Sequence, residues 1–289
     1  MKYNSIYLTL MLISSLSYGS IHGPSDDRYK LDEITNKKIK ELAKSTAFIT
    51  KKNPGSSNSI TLQTSSLMDL KGMCSNERFA NSPSVYGCSG VLIDTNKVLT
   101  AGHCVISEID CKDMVISFSY TDHSLIGEFK DNQIYKCKSL IAREKNYLTH
   151  LDYAVIELDR DVLDRLPVSY NKSNSLSKDD PLFMIGHPVG IPTVISTDAK
   201  VLDISDNKFI FPTDLDAMIG NSGSPVFNHN TYELEGILVR GGSDFDTDFD
   251  SDDLCRTWYR SRNYPQEKAE TEDVLKINSI PYIKLLNNK

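Results

Sequence analysis

The sequence of 289 residues lacks an excess of basic charge: 32 Lys and Arg stand against 39 Asp and Glu, for a formal net charge of −7. A dedicated nucleic-acid-binding protein is usually basic, so this balance argues against that class. Long hydrophobic runs are also missing, apart from one at the N-terminus, and no internal repeat is present. The composition excludes collagen-like, coiled-coil and low-complexity proteins, and the length fits one or two globular domains.

The N-terminal run has the features of a secretory signal peptide, predicted to cover residues 1–19. Lys2 precedes a mostly apolar segment, residues 6–16, and small residues follow at Ser17 and Gly19. This segment is shorter than the roughly 20 residues that cross a bilayer. We therefore expect cleavage after Gly19, a secreted or periplasmic protein, and no stable membrane association after cleavage.

Six cysteines follow the predicted signal peptide, and none of their spacings is Cys-x-x-Cys, which argues against a zinc knuckle or a thioredoxin-like motif. In an oxidising compartment an even set of cysteines forms disulfides. Six cysteines allow fifteen pairings, and the spacings alone do not choose among them. The six are Cys74, Cys88, Cys104, Cys111, Cys137 and Cys255.

A polar stretch, residues 20–45, is predicted to be an N-terminal arm or a propeptide. From Thr46 onward, short apolar runs such as residues 90–93 and 234–239 alternate with turn-forming clusters. Many short strands at this spacing are typical of an all-β sandwich or barrel. Residues 277–288 are expected to form a short C-terminal helix.

Three segments supply the residue types of a serine-nucleophile site. His103 lies in Thr-Ala-Gly-His-Cys, Asp152 opens an apolar run, and Ser222 lies in Gly-Asn-Ser-Gly-Ser-Pro. A serine hydroxyl needs an imidazole to take its proton, and the imidazole needs a carboxylate to hold its tautomer. The order His, Asp, Ser is not that of an α/β-hydrolase, whose Gly-x-Ser-x-Gly motif is also broken here by Ser224.

These segments resemble those of chymotrypsin-fold serine endopeptidases, and more closely the bacterial trypsin-like and glutamyl-endopeptidase (V8-like) branch. The resemblance rests on residues 88–93 and 98–104 around the histidine and on residues 220–225 around the serine. It covers about residues 46–289, which we take as the peptidase domain.

The resemblance implies two six-stranded antiparallel β-barrels, the first at about residues 46–160 and the second at about 175–275. The active site would lie between them, with the short helix at the C-terminus. The resemblance also implies disulfides between Cys88 and Cys104 and between Cys111 and Cys137. Cys74 and Cys255 then remain as the third pair.

The resemblance further implies a secreted serine endopeptidase that works through an acyl-enzyme. Ser222 would be the nucleophile, His103 the general base and Asp152 its partner, with the N–H groups of Gly220 and Ser222 as the oxyanion hole. Polypeptides would be the substrates, no cofactor or metal would be needed, and the protein would be a monomer. The alternative is a catalytically inactive protease-like binding protein.

The substrate preference is predicted from residues that the resemblance places at the cleft. Asp216, six residues before the nucleophile, would lie at the base of the primary pocket and select Lys or Arg, as in trypsin. Alternatively, Asp216 faces solvent or Asp214 takes the role. Leu238 stands where glutamate-specific enzymes have histidine, and Val239 and Gly241 would line the same cleft. A preference for acidic or small residues is the other hypothesis.

An unusual acidic segment, residues 244–253, follows the predicted cleft-lining strand. It could be a solvated loop, or it could attract basic substrates through its charge. A calcium site is a third interpretation, although no register supplies the glycine and the glutamate of an EF-hand loop. The calcium ligands would be Asp244, Asp246, Asp248 and Asp250.

Overall fold

The structure is a computed structural model that describes residues 20–22, 25–52, 64–123, 133–173, 175–204, 208–249, 254–261 and 271–287. The predicted signal peptide lies outside the described residues. The strands are β1 (Ile21–His22), β2 (Arg28–Lys30), β3 (Thr46–Lys51), β4 (Ser65–Ser66), β5 (Pro83–Ser84), β6 (Cys88–Asp94), β7 (Lys97–Thr100), β8 (Met114–Ser117), β9 (Ile134–Lys145), β10 (Asp152–Leu158), β11 (Pro181–Gly186), β12 (Val194–Lys200), β13 (Ile210–Thr213), β14 (Pro225–Asn228), β15 (Leu234–Arg240), β16 (Phe245–Thr247), β17 (Arg256–Trp258), β18 (Arg260–Ser261) and β19 (Glu272–Lys276). The helices are α1 (Lys37–Ala43), α2 (Leu67–Lys71), α3 (Glu108–Lys112) and α4 (Pro281–Asn287).

Six strands close into the first barrel, in the order β10-β7-β6-β3-β8-β9. Strand β10 is apolar on both faces, because Ala154 and Ile156 fill the barrel while Tyr153 and Val155 pack against the second sheet. Strands β7 and β10 are antiparallel neighbours, with Thr100 opposite Ala154. This register brings the residues after β7 beside the residues that open β10.

The second sheet has the order β13-β19-β15-β14-β11-β12-β2. Val201, directly after β12, forms an isolated antiparallel bridge with Thr213 of β13, so six of these strands curl into a nearly closed barrel. The predicted all-β, two-barrel fold is therefore confirmed. The seventh strand, β2, was not predicted, and it pairs with β12 through Tyr29 and Ile195.

The N-terminal arm packs against the barrels. Strand β1 pairs in parallel with β18, and Ile21 is fully buried. Helix α1 begins after Asn36, whose side-chain oxygen accepts the N–H groups of Lys38 and Ile39, as an N-cap does. Ile39 and Leu42 of this helix join the apolar core that also holds residues of both barrels. From Ser20 onward, the described part of the arm is thus built into the fold.

Three disulfides staple the chain, and they are the three expected pairs. Cys88–Cys104 closes a short loop beside β7, and Cys111–Cys137 joins α3 to β9. Cys74–Cys255 links positions 181 residues apart. The described residues contain no other cysteine, so none of the described cysteines is free.

The predicted C-terminal helix is present as α4 and packs its Ile283 into the main core. All four helices are short, with at most seven residues. None of the described helices is long and apolar enough to cross a membrane.

Candidate active site

His103 and Asp152 lie together because β7 and β10 are neighbours in the first barrel. Nδ1 of His103 is 2.9 Å from Oδ2 of Asp152, and the His103 backbone N–H donates to Oδ1 at 2.9 Å. Two contacts to one carboxylate fix the orientation of the ring. A Cβ at Gly102 would collide with the carbonyl oxygens of Glu144 and Tyr153, so glycine is required just before the histidine. The ring can therefore present Nε2 as a proton acceptor.

Ser222 lies in the loop between β13 and β14, at the junction of the two barrels. Its carbonyl oxygen accepts the N–H of Ser89 at 2.9 Å, and the next N–H, of Gly223, donates to Leu238 at 2.7 Å. The side chains of Ser222 and His103 line the same cleft. Among the residues that the structure describes, no hydrogen bond joins Ser222 Oγ to the His103 ring. Catalytic hydrogen bonds are often longer before substrate is bound, so the shared cleft is compatible with a nucleophile and its base.

The backbone around Ser222 turns at two glycines, and this turn carries the predicted oxyanion donors. Gly220 has φ of +96° and Gly223 has φ of +84°, which favours glycine at both positions. A Cβ at Gly220 would lie 2.6 Å from the His187 carbonyl oxygen. In the described part of the chain, neither Gly220 N–H nor Ser222 N–H donates to a backbone carbonyl. Both predicted oxyanion donors are thus available to a ligand.

Ser89 is a site residue that the sequence reasoning missed. It is fully buried on β6, and its Oγ donates to the Gly220 carbonyl at 2.9 Å and accepts the His187 N–H at 3.0 Å. Its own carbonyl accepts the Thr100 hydroxyl at 2.6 Å. Ser89 therefore connects the first barrel to the oxyanion turn. Its position after Cys88 gives no sequence signal that separates it from an ordinary strand serine.

His187 is buried beside this turn and does not line the cleft with His103. Its ring contacts Phe48 and Tyr120, and Nδ1 lies 3.1 Å from the Ile191 carbonyl oxygen. Burial lowers the pKa of His187 to about 3, so the ring is neutral at physiological pH. The histidine directly precedes a 3₁₀ turn, Pro188–Gly190.

The predicted specificity residues are divided by the structure. Leu238 and Gly241 line the cleft with Ser222, as expected. Val239 is buried and lines a smaller recess behind His103 and Asp152. The sheet alternates faces along β15, which explains why neighbours in sequence point to different places.

Asp216, predicted at the base of the primary pocket, is not among the described residues that line the cleft with Ser222. Its carboxylate is buried and accepts the N–H of His22 at 2.6 Å and of Asp27 at 3.2 Å. Burial, followed by the neighbouring Asp216 charge, raises the pKa of Asp27 to about 9. Asp216 therefore binds the N-terminal arm. The alternative residue, Asp214, caps the N–H of Lys200 at 2.7 Å.

An acid that was not predicted, Glu272 at the start of β19, lines the cleft. The residue is fully buried, and one oxygen, Oε2, has no hydrogen-bond partner in the described part of the chain. Burial raises the pKa of Glu272 to about 7, although hydrogen bonding to His22 acts in the opposite direction. Nothing in its sequence context distinguishes it from the acids around it.

The described residues give no support to a metal centre. Two groups place three potential ligand atoms within 4.8 Å of one another, namely Cys88, His103 and Cys104, and Cys74, Asp248 and Cys255. Each group contains both sulfurs of a disulfide, which are not thiolates and do not bind a metal as such.

The aspartates predicted as calcium ligands do not form a cluster in the described part of the acidic segment. Asp244 is buried, and its Oδ1 accepts the N–H of Ile219 at 2.9 Å, which supports the cleft wall. Asp246 lies on β16, where its Oδ1 accepts the next N–H. Asp250 lies outside the described residues.

Comparison with known proteins shows the family. The trypsin-like peptidase domain family matches residues 88–237, about half of the chain. The chain therefore belongs to the trypsin-like peptidase domain family, as its motifs predicted. The match begins at Cys88 and includes His103, Asp152 and Ser222.

Solved structures share the fold at low sequence identity. A Glu endopeptidase in complex with MPD covers 93% of this chain with 16% identity and a TM-score of 0.54, and all of that chain is covered. The secreted serine protease VesC from Vibrio cholerae covers 85% of this chain with 18% identity and a TM-score of 0.52, over 46% of its own length. Both are similar in the path of the chain.

A curated relative from Bacillus subtilis (strain 168) carries the name extracellular metalloprotease. It is 26% identical over 182 residues, which are 58% of this chain and 55% of the relative. The chain thus spans about half the length of this curated relative. The name of this relative describes a metal-dependent protease. In the described part of the present chain, each group of potential metal ligands contains both sulfurs of a disulfide.

Proposed function

We propose that the protein is an exported serine endopeptidase with His103, Asp152 and Ser222 as its catalytic triad. The observation that carries the proposal is the shared cleft: an imidazole held at 2.9 Å by a carboxylate opens onto the same groove as a serine in a glycine turn. Membership of a peptidase family supports the same activity.

The reaction would begin when Ser222 Oγ attacks the carbonyl carbon of the scissile peptide bond. His103 Nε2 takes the hydroxyl proton, and Asp152 stabilises the resulting imidazolium through Nδ1–H. The N–H groups of Gly220 and Ser222 bind the negative oxygen of the tetrahedral intermediate. His103 then gives its proton to the leaving amine, and water releases the acyl group from Ser222 by the same route.

Export is supported by the predicted signal peptide and by the disulfides. Proteins with several structural disulfides are typical of oxidising compartments. The proposal therefore places the enzyme outside the cytoplasm, where it meets polypeptide substrates. Preference for Lys or Arg loses the support of Asp216, whose carboxylate is bound by the N-terminal arm.

A fluorophosphonate probe, which labels activated serines, tests the proposal. We expect labelling of the mature wild type and its loss in Ser222→Ala, while Ser175→Ala, at an exposed serine, stays labelled. Peptide hydrolysis should persist in the presence of a chelator, because no step uses a metal. Absence of labelling in folded wild type would instead support a protease-like binding protein, and loss of hydrolysis with chelator would indicate a metal-dependent enzyme.

A further inference from the structure

Glu272 sits in the cleft beside the proposed nucleophile. It opens β19 opposite Thr213, whose hydroxyl donates to its backbone carbonyl at 3.0 Å. Its side chain lines the cleft together with Gly220, Ser222 and Gly241. The carboxyl group is therefore fixed by a strand of the second barrel.

The two oxygens of this carboxylate differ in their surroundings. Oε1 accepts the Gly242 N–H at 3.2 Å, and it lies 3.5 Å from Ser20 Oγ and 3.8 Å from His22 Nε2. Oε2 is buried and has no hydrogen-bond partner among the residues that the structure describes. A buried acceptor without a partner costs about 1–3 kcal/mol, and more when it is charged. A ligand that donates to Oε2 would remove this cost.

The rest of the pocket wall is mainly apolar. Met218, Ile219 and Leu238 surround the entrance, and Glu272 is the acidic member of the described cleft lining. The lining also contains the cationic residues Lys51, Lys52, Lys145 and Arg240, of which Arg240 is engaged by Asp273 at 3.4 Å and by His150 at 2.8 Å. A substrate cation that reaches Glu272 would thus meet the acidic member of the described lining.

We propose that Glu272 determines specificity by binding a cationic substrate side chain, Lys or Arg, on the acyl side of the scissile bond. The inference rests on the proposed serine endopeptidase function. The ammonium or guanidinium group donates to Oε2, while its apolar stem lies against Ile219 and Leu238. Lys and Arg have stems long enough to cross an apolar pocket with the charge at the tip.

The test compares peptide substrates that differ only in the residue before the scissile bond: Lys, Arg, norleucine and Glu. Norleucine matches the Lys stem without its charge. The enzymes are wild type, Glu272→Gln and the control Glu235→Gln. Glu235 is also a buried acid of the second barrel, but Asn171 donates to both of its oxygens, and it is not among the residues that line the cleft.

We expect wild type and Glu235→Gln to cleave the Lys substrate at least about tenfold better than the norleucine substrate, as judged by kcat/KM. Glu272→Gln should lose most of this ratio, because a charge-assisted hydrogen bond is about twice as strong as a neutral one. Thermal melting checks that each variant is folded.

Two outcomes would overturn the inference. One is a wild type that prefers norleucine or Glu, and the other is an unchanged ratio in Glu272→Gln. A purely structural role would lower all four substrates alike and leave the ratio intact. Fluorophosphonate labelling of Ser222 separates the cases: labelled enzyme without a basic preference refutes the role of Glu272, whereas unlabelled enzyme refutes the proposed function itself.

Discussion

Replacing Ser89 by alanine tests whether the first barrel sets the geometry of the oxyanion turn. The substitution removes one oxygen, which now joins the Gly220 carbonyl at 2.9 Å to the His187 N–H at 3.0 Å. The backbone contacts of Ser89 with Ser222 and Thr100 remain available. The change is therefore confined to the two hydrogen bonds that orient the turn from behind.

The expected loss of stability in Ser89→Ala follows from those two hydrogen bonds. The Gly220 carbonyl and the His187 N–H stay buried but lose their partner, which costs about 1–2 kcal/mol for each group, so stability should fall by roughly 2–4 kcal/mol. For a chain of this length each kcal/mol lowers Tm by about 2–4 °C, which gives a drop of roughly 5–15 °C. Loss of a direct oxyanion donor costs about 100- to 1000-fold in kcat. A donor that is only misaligned should cost less, so we expect kcat to fall about tenfold.

Steady-state hydrolysis of one peptide amide, below the melting transition, measures this effect. We expect KM of Ser89→Ala to stay within about threefold of wild type, because the turn acts on the transition state more than on ground-state binding. The control is Ser117→Ala: Ser117 is also buried in the first barrel, but its Oγ accepts only the Ser119 N–H among the described bonds. An unchanged kcat in a folded Ser89→Ala protein, or an equal loss in the control, would refute this role.

Two further predictions concern stability. Removing the Cys74–Cys255 pair as a double serine variant should cost about 5 kcal/mol in the chain-entropy treatment, against about 3 for Cys88–Cys104, because the loops span 181 and 16 residues. Guanidinium unfolding measures both losses, and a smaller loss for the longer loop would contradict that account. The pKa of buried His187 is lowered to about 3. Between pH 6.5 and 3, His187 therefore binds a proton in the unfolded chain but not in the folded chain. The contribution of His187 to stability should then fall by about 1.4 kcal/mol per pH unit on acidification through this range, so the slopes of wild type and His187→Phe should differ by about that amount; equal slopes in chemical unfolding from pH 4 to 7 would argue against it.

The first barrel and the cleft that His103 and Ser222 share could be predicted because their signals are local. His103 and Ser222 lie in short motifs whose glycines are required by close approach or positive φ, as at Gly102 and Gly223. The segments that form β6, β7 and β10 contain more consecutive apolar residues than an exposed loop usually does. Such features depend on residues within a few positions of one another.

Other features depend on distant partners and left no local signal. Strand β2 carries the polar sequence Arg-Tyr-Lys and forms because the edge of β12 offers backbone partners. Arg28 is buried there because Asp26 binds it at 2.7 Å and its guanidinium lies 4.3 Å from the Trp258 ring. Trp258 is far along the chain, so no window of sequence around Arg28 contains the reason for its burial.

Asp216 and Glu272 show the same limit at the place where specificity is decided. Counting back from Ser222 locates Asp216 along the chain, but it does not say which N–H groups its carboxylate will accept. The arm supplies two such groups, and Asp216 is not among the described residues that line the cleft. Glu272 lies about 50 residues beyond the nucleophile, lines the cleft, and has an Oε2 without a partner among the described residues. Neutralising the two acids should therefore have different effects. Asp216→Asn should weaken the attachment of the N-terminal arm, whereas Glu272→Gln should change the substrate preference.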